Sequence, residues 1–179
     1  MQHIYIIQDK TNSDFIYYLK SNDYVKNFKE KETYISLSFD DELLPDFIDL
    51  LNSLSNDLFL PYKAISSPFE IPDNILQILI EYLKNLPQNT YTIGEILINQ
   101  IKKNLSIDSY IKNYFLSSIN QEMVESALTY IETSSIYETS KKLYIHRNTL
   151  NYRFDTIYKK TGLNIRNMID AFVFFILFS

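Results

Sequence analysis

Glu122 to Phe178 reads as four short helices separated by capping residues, and no other stretch of this 179-residue chain constrains the fold so closely. Met123, Ala127, Leu128 and Ile131 share one helical face, so a helix is expected over Glu122–Glu132. Thr133, Ser134 and Ser135 supply hydroxyl caps. Ile136–Leu143 (IYETSKKL) is expected as a short second helix, with Tyr144 and Ile145 as the connection. His146–Thr161 (HRNTLNYRFDTIYKKT) follows as a third helix, with Gly162 as its left-handed cap, and Arg166–Phe178 as a fourth. A short helix, a tight turn and a longer helix rich in Arg, Asn, Thr and Lys form a helix-turn-helix arrangement.

The third helix divides cleanly into two faces. At ~100° per residue, Leu150, Phe154 and Ile157 fall together and form the inward face. Opposite them lie Asn148, Tyr152, Asp155 and Lys159, flanked by Thr149 and Asn151. The first half of that outer face holds only hydrogen-bonding side chains. Asn pairs bidentately with adenine, and Thr or Arg bonds to phosphates or base edges. A helix N-terminus also favours phosphate. Asp155 is discordant, because its carboxylate would repel DNA.

The net charge of −5 argues at first against a nucleic-acid partner. Its distribution reverses that. Residues 1–120 hold 10 Lys/Arg against 16 Asp/Glu, a net of −6, while residues 121–179 hold 7 against 6, a net of +1. All seven basic residues of the second part lie between Lys141 and Arg166, where Asp155 is the one acid, a net of +6. An acidic body with one basic segment is the layout expected when a single module meets phosphate.

Leu143–Ile165, LYIHRNTLNYRFDTIYKKTGLNI, resembles the C-terminal helix-turn-helix of the PucR/CdaR family of transcription regulators. The run His146-Arg147-Asn148-Thr149-Leu150, then Tyr152-Arg153, then Gly162 carries the likeness. The preceding ALTYIETSSIYETSKKL is similar to the family's two leading helices. The resemblance spans about one third of the chain. Ser140 stands where the family usually carries Ala, and Tyr144 where it usually carries Gly. Ser is small enough to pack there; Tyr in the turn needs a permissive backbone angle. In many family members a GGDEF-like α/β domain precedes the DNA-binding domain. Tyr34–Ser67 resembles the last part of such a domain and Thr90–Ile98 the segment after it, which implies a shortened remnant. No GGDEF signature is present, so nucleotide cyclisation is not implied.

The rest of the chain is expected to be a small N-terminal α/β region, making the whole α+β and mostly helical. Strands are expected at Ile4–Ile7 and Thr33–Phe39, and an edge strand over Leu58–Ile65, interrupted by Pro61. Helices are expected from Asp40 or Asp41 to about Asn56, from Pro72 or Asp73 to Pro87, over Thr92–Leu105 and over Ser109–Ile119. The polar-aromatic stretch after the first strand also reads as helix. The domain step is expected near Ser117–Gln121, dividing a regulatory or dimerisation region, 1–120, from a DNA-binding domain, 121–179.

Function classes narrow accordingly. Gly94 and Gly162 are the only glycines, too few for a phosphate-cradling loop. There is no cysteine, which fits a reduced, cytoplasmic setting, and His3 and His146 do not cluster with acids at metal-ligand spacing. No cofactor, metal site or catalytic residue is expected, nor a signal peptide. The apolar run Ala171–Phe178 is too short for a membrane span. It reads as a last core helix or as a dimer seam.

The expected protein is therefore a sequence-specific regulator of double-stranded DNA, acting as a homodimer. Its candidate DNA-binding residues are Lys141, Lys142, His146, Arg147, Asn148, Thr149, Asn151, Tyr152, Arg153 and Lys159. Arg153 lies to the side of the helix, where bracing the fold is the alternative to gripping a phosphate. The N-terminal region is open to a small-molecule effector or to service as a dimer platform alone. A second reading keeps the helix-turn-helix shape but makes the chain a protein-interaction adaptor.

Overall fold

The structure is a computed structural model that describes residues 1–8, 12–103 and 106–179. It is α+β, and the chain forms two compact units. The first holds Met1–Pro72 and Leu79–Thr92; the second holds Asp73–Ile78 and Ile93–Ser179.

In the first unit, strands β1 (Gln2–Ile7), β2 (Asn27–Glu30), β3 (Ile35–Phe39), β4 (Lys63–Ser67) and β5 (Asn89–Thr92) form a sheet in the order β2-β3-β1-β4-β5. β1 pairs antiparallel with both β3 and β4, placing Ile4 opposite Leu37 and Tyr5 opposite Ile65. β4 and β5 run parallel, which requires a crossover connection. Helix α1 (Ser13–Lys20) starts where the Asn12 side chain accepts from the amides of Asp14 and Phe15. A single 3-10 turn, Asp41–Leu43, leads into α2 (Leu44–Asp57), with Pro45 in its first turn, where a missing N–H costs nothing. The alternation of β1 and β3 turns Ile4, Ile6, Ile35, Leu37 and Phe39 onto one face. Phe15 and Leu19 from α1 and Phe47 and Leu51 from α2 close over them, with Phe39 stacked on Phe47 at 4.7 Å.

The strand around Pro61 differs from expectation. It begins at Lys63, after the proline, and lies inside the sheet between β1 and β5 rather than at its edge. Once Pro61 precedes the strand, its missing N–H no longer interrupts the ladder. β2 and β5, four residues each, were not anticipated in stretches read as helix or loop.

Helix α3 (Asp73–Lys84) follows Pro72; its residues up to Ile78 belong with the second unit. That unit continues with α4 (Ile93–Lys102), α5 (Ser109–Ser118), α6 (Gln121–Thr133), α7 (Ile136–Lys142), α8 (Arg147–Thr161) and α9 (Met168–Phe178). The expected end of the α4 helix at Leu105 lies outside the described residues. α6 packs on α7, α8 and α9; α4 packs on α9, and α5 on α8. Ile96, Leu97, Ile111, Phe115, Ala127, Leu150, Phe154, Ile157, Leu163, Val173 and Phe174 are all buried, giving this unit its own apolar core.

Candidate nucleic-acid interface

The three helices α6, α7 and α8 are set at fixed angles by two left-handed turns and a hydroxyl chain. α6 ends on Ser134, whose φ of 54° takes the backbone out of the helix, and Ser135 then caps α7 by accepting from the amide of Glu138. Thr139 is fully buried beneath this turn. Its hydroxyl lies 2.7 Å from that of Thr133 and donates to the carbonyl of Ser135. Apolar residues of equal size would lose these hydroxyl bonds and leave the Ser135 carbonyl its backbone bond from the Thr139 amide.

α7 ends in a Schellman turn. The amide of Ile145 bonds to the carbonyl of Ser140 at 3.0 Å and that of Tyr144 to the carbonyl of Lys141 at 3.3 Å. Tyr144 occupies the left-handed position at φ 54°, and its ring is 95% exposed. This is the permissive angle expected of a turn that usually carries glycine. Ser140, the other departure, is half-buried and bonds back to the carbonyl of Tyr137, so the hydroxyl is accommodated.

α8 begins one residue later than expected, with His146 as its N-cap: Nδ1 accepts from the amide of Asn148 at 3.2 Å. It ends on Gly162 at φ 73°. Leu150, Phe154 and Ile157 are buried, and Phe154 packs against Tyr130 of α6 at 5.0 Å. The opposite face is in solvent. Arg147, Asn148, Thr149, Tyr152, Asp155 and Lys159 are exposed, as are Lys141 and Lys142 in the last turn of α7. Lys142 pairs with Glu132 at 2.8 Å, an exposed contact of little energy that leaves the ammonium able to exchange partners.

Two further residues of the ten, besides His146 and Lys142, are engaged inside the domain. Arg153 donates to the hydroxyl of Ser126 at 2.8 Å and pairs with Glu122, so its guanidinium ties α8 to α6; its side chain is 17% exposed. Asn151 is half-buried, and its Oδ1 accepts from Arg166 at 2.9 Å.

Arg166, expected to open the fourth helix, lies instead in the turn before α9. Its guanidinium also pairs with Asp155 at 2.9 Å and lies 5.4 Å from the centre of the Phe154 ring. The discordant carboxylate on α8 is thus neutralised from beyond the helix end. The available signal was weak: an odd acid on a basic face and a cation after Gly162.

Asp170 anchors the turn from α8 to α9. Its Oδ2 accepts from the amide of Asn164, and a Cβ on Gly94 of α4 would fall 1.8 Å from its Oδ1. Burial raises its carboxyl above the usual carboxylate range; the Asn164 amide offsets this in part, and Glu95 adds to it.

A longer helix with a buried apolar face, preceded by a short helix and a four-residue turn, defines a helix-turn-helix domain. Residues 123–178 match the PucR C-terminal helix-turn-helix domain, and that segment is a domain of this type. Among solved structures, the chain is similar to a regulator of polyketide synthase expression from Bifidobacterium adolescentis. The two are 14% identical, with a TM-score of 0.43, over 98% of this chain and 77% of that one. No curated protein sequence matches the chain. No helix among the described residues is long and apolar enough to cross a membrane.

Proposed function

We propose that the chain is a sequence-specific DNA-binding transcription regulator that reads the major groove with α8. The observation that carries this reading is the division of α8 within a PucR-type domain. Leu150, Phe154 and Ile157 fix the helix, while Arg147, Asn148, Thr149 and Tyr152 stand in solvent at its N-terminal end. In this reading Asn148, Thr149, Asn151 and Tyr152 address base edges, and Lys141, Lys142, Arg147 and Lys159 hold phosphates. His146 caps the helix and Arg153 braces it against α6, so both position the reading face.

The functional division proposed is a regulatory or dimerisation region over 1–120 and a DNA-binding domain over 121–179. The protein acts by binding, without catalysis or cofactor, as a cytoplasmic homodimer whose two α8 helices enter grooves about 34 Å apart. A small-molecule effector acting on the N-terminal region is compatible with this reading. Selection of bound sequences from a random DNA pool tests it. Enrichment of a two-fold symmetric site is expected, and recovery of no preferred sequence counts against it. The adaptor alternative is favoured by the net charge of −6 over residues 1–120. It requires that Arg147 and Asn148 be dispensable for function.

A further inference from the structure

α9 is apolar on almost every side, yet the domain uses only half of it. Asp170, Val173, Phe174 and Leu177 face inward. Met168 is 84% exposed, and Ile169, Phe172, Phe175 and Ile176 are each between 36% and 50% exposed. At about 100° per residue these five occupy an arc of about 120° on the outer side. A helix that is hydrophobic all round is ordinarily buried all round. The exposed arc offers roughly 500 Å² of apolar surface, towards the upper end of what a monomer carries and often functional. Beside it runs a groove of about 530 Å³, where Tyr130, Ile131 and Ala171 meet Met168, Phe172 and Phe175.

We propose that this face is the homodimer seam, with the α9 of a second copy lying antiparallel across a two-fold axis at Phe172. The inference rests on the dimeric regulator proposed above and assigns the surface that makes the dimer. Three observations support a second copy as the occupant. The five positions are symmetric about Phe172: Met168 and Ile176 lie four residues to either side, Ile169 and Phe175 three. A two-fold contact requires such self-complementarity, since residue i meets j wherever j meets i. All five side chains are uncharged, so the helix face itself brings no like charges together, and Arg166, which lines the neighbouring groove, is paired with Asp155. Finally, the doubled patch offers about 1,000 Å², the lower bound for a biological interface. The neighbouring groove adds depth for the partner's aromatic side chains.

The chain has no native cysteine, so single cysteines report the axis without background. Sedimentation of the intact wild-type chain is expected to give a dimer. Under mild oxidation or with a short bis-maleimide, Phe172→Cys is expected to link into a covalent dimer. Met168→Cys alone should link poorly, because its two copies lie about 12 Å apart along the pair. A mixture of Met168→Cys and Ile176→Cys should link well. Phe172→Glu is expected to raise the dimer Kd at least about a hundredfold. If that variant misfolds, the cysteine pattern decides. A dimeric wild type whose Phe172→Cys links no better than Tyr137→Cys, a control on exposed α7, overturns the seam and leaves the dimeric regulator standing. A wild type that stays monomeric overturns the seam and the dimer together, and DNA binding by that monomer would still support a regulator.

Discussion

Arg166 holds Asp155 and Asn151 at once, with Nη1 2.9 Å from the carboxylate and Nη2 2.9 Å from the amide oxygen. The contact places a cation from the turn after α8 against the one acid of that helix, on its exposed face. Arg166→Ala is expected to weaken DNA binding about five- to tenfold, because it exposes an unpaired carboxylate to phosphate and frees Asn151 to rotate. Asp155→Asn in the same chain should recover most of the loss. Binding titrations of the two variants check this, and equal losses in both would assign Arg166 a direct phosphate contact instead.

In the proposed function Asn148 reads bases and Lys159 grips phosphate. Both are exposed, Asn148 in the first turn of α8 and Lys159 in its last. Asn148→Ala is expected to cost about 1–3 kcal/mol on the preferred site and little on random DNA. Lys159→Ala should weaken binding to all sequences alike and reduce the salt slope by about 0.9. Titrations on both DNAs across a salt series distinguish the two.

Tyr144 carries backbone strain that glycine would relieve. A left-handed conformation costs a non-glycine residue about 1–2 kcal/mol, and the ring is in solvent with little packing to lose. Tyr144→Gly is expected to stabilise the protein by about 1 kcal/mol, a rise in Tm of about 2–4 °C for a chain of this size. A fall in Tm would mean that the exposed ring supports the turn.

How far the sequence spoke depended on the range of the contacts involved. The helices from α5 to α9 were legible to within a residue or two, because apolar spacing, hydroxyl caps and Gly162 act within a few positions. The outward residues of α8 apart from Asn151, which is half-buried, were legible for the same reason. β2 and β5 were not: each is four residues long with little alternation, and each is a strand because β3 or β4 offers it a ladder. The interior place of β4 likewise depends on β1 from the far end of the unit. The engagement of Arg153 by Ser126 and of Asn151 by Arg166 joins residues on different helices or beyond a helix end, which no periodicity encodes.

Asp170 makes stability respond to pH in a defined direction. Burial raises its carboxyl above the unfolded value of 3.8, so the folded state binds this proton more tightly. The stabilising contribution is therefore complete below 3.8 and is lost as pH rises through the folded value. Asp170→Asn should remove that loss, so that urea midpoints of the variant fall less than those of the wild type from pH 4 upward. A parallel decline in both proteins would assign the pH dependence to other groups.

Gly94 is the space in which Asp170 sits. A methyl there would lie 2.9 Å from Cγ as well as against Oδ1, and the carboxylate is held in place by the Asn164 amide. Gly94→Ala is expected to destabilise the protein by about 2–3 kcal/mol despite the better helix propensity of alanine. Urea unfolding measures it, and an unchanged midpoint would show that the α8–α9 turn yields freely.

Direct titration of the intact chain against a DNA site selected from a random pool, from low to physiological salt, tests most directly whether α8 reads DNA. Saturable binding is expected, with log K falling linearly with log salt and a marked loss of site preference in Asn148→Ala. No binding at low salt, or binding unchanged by Asn148→Ala and Arg147→Ala together, contradicts it.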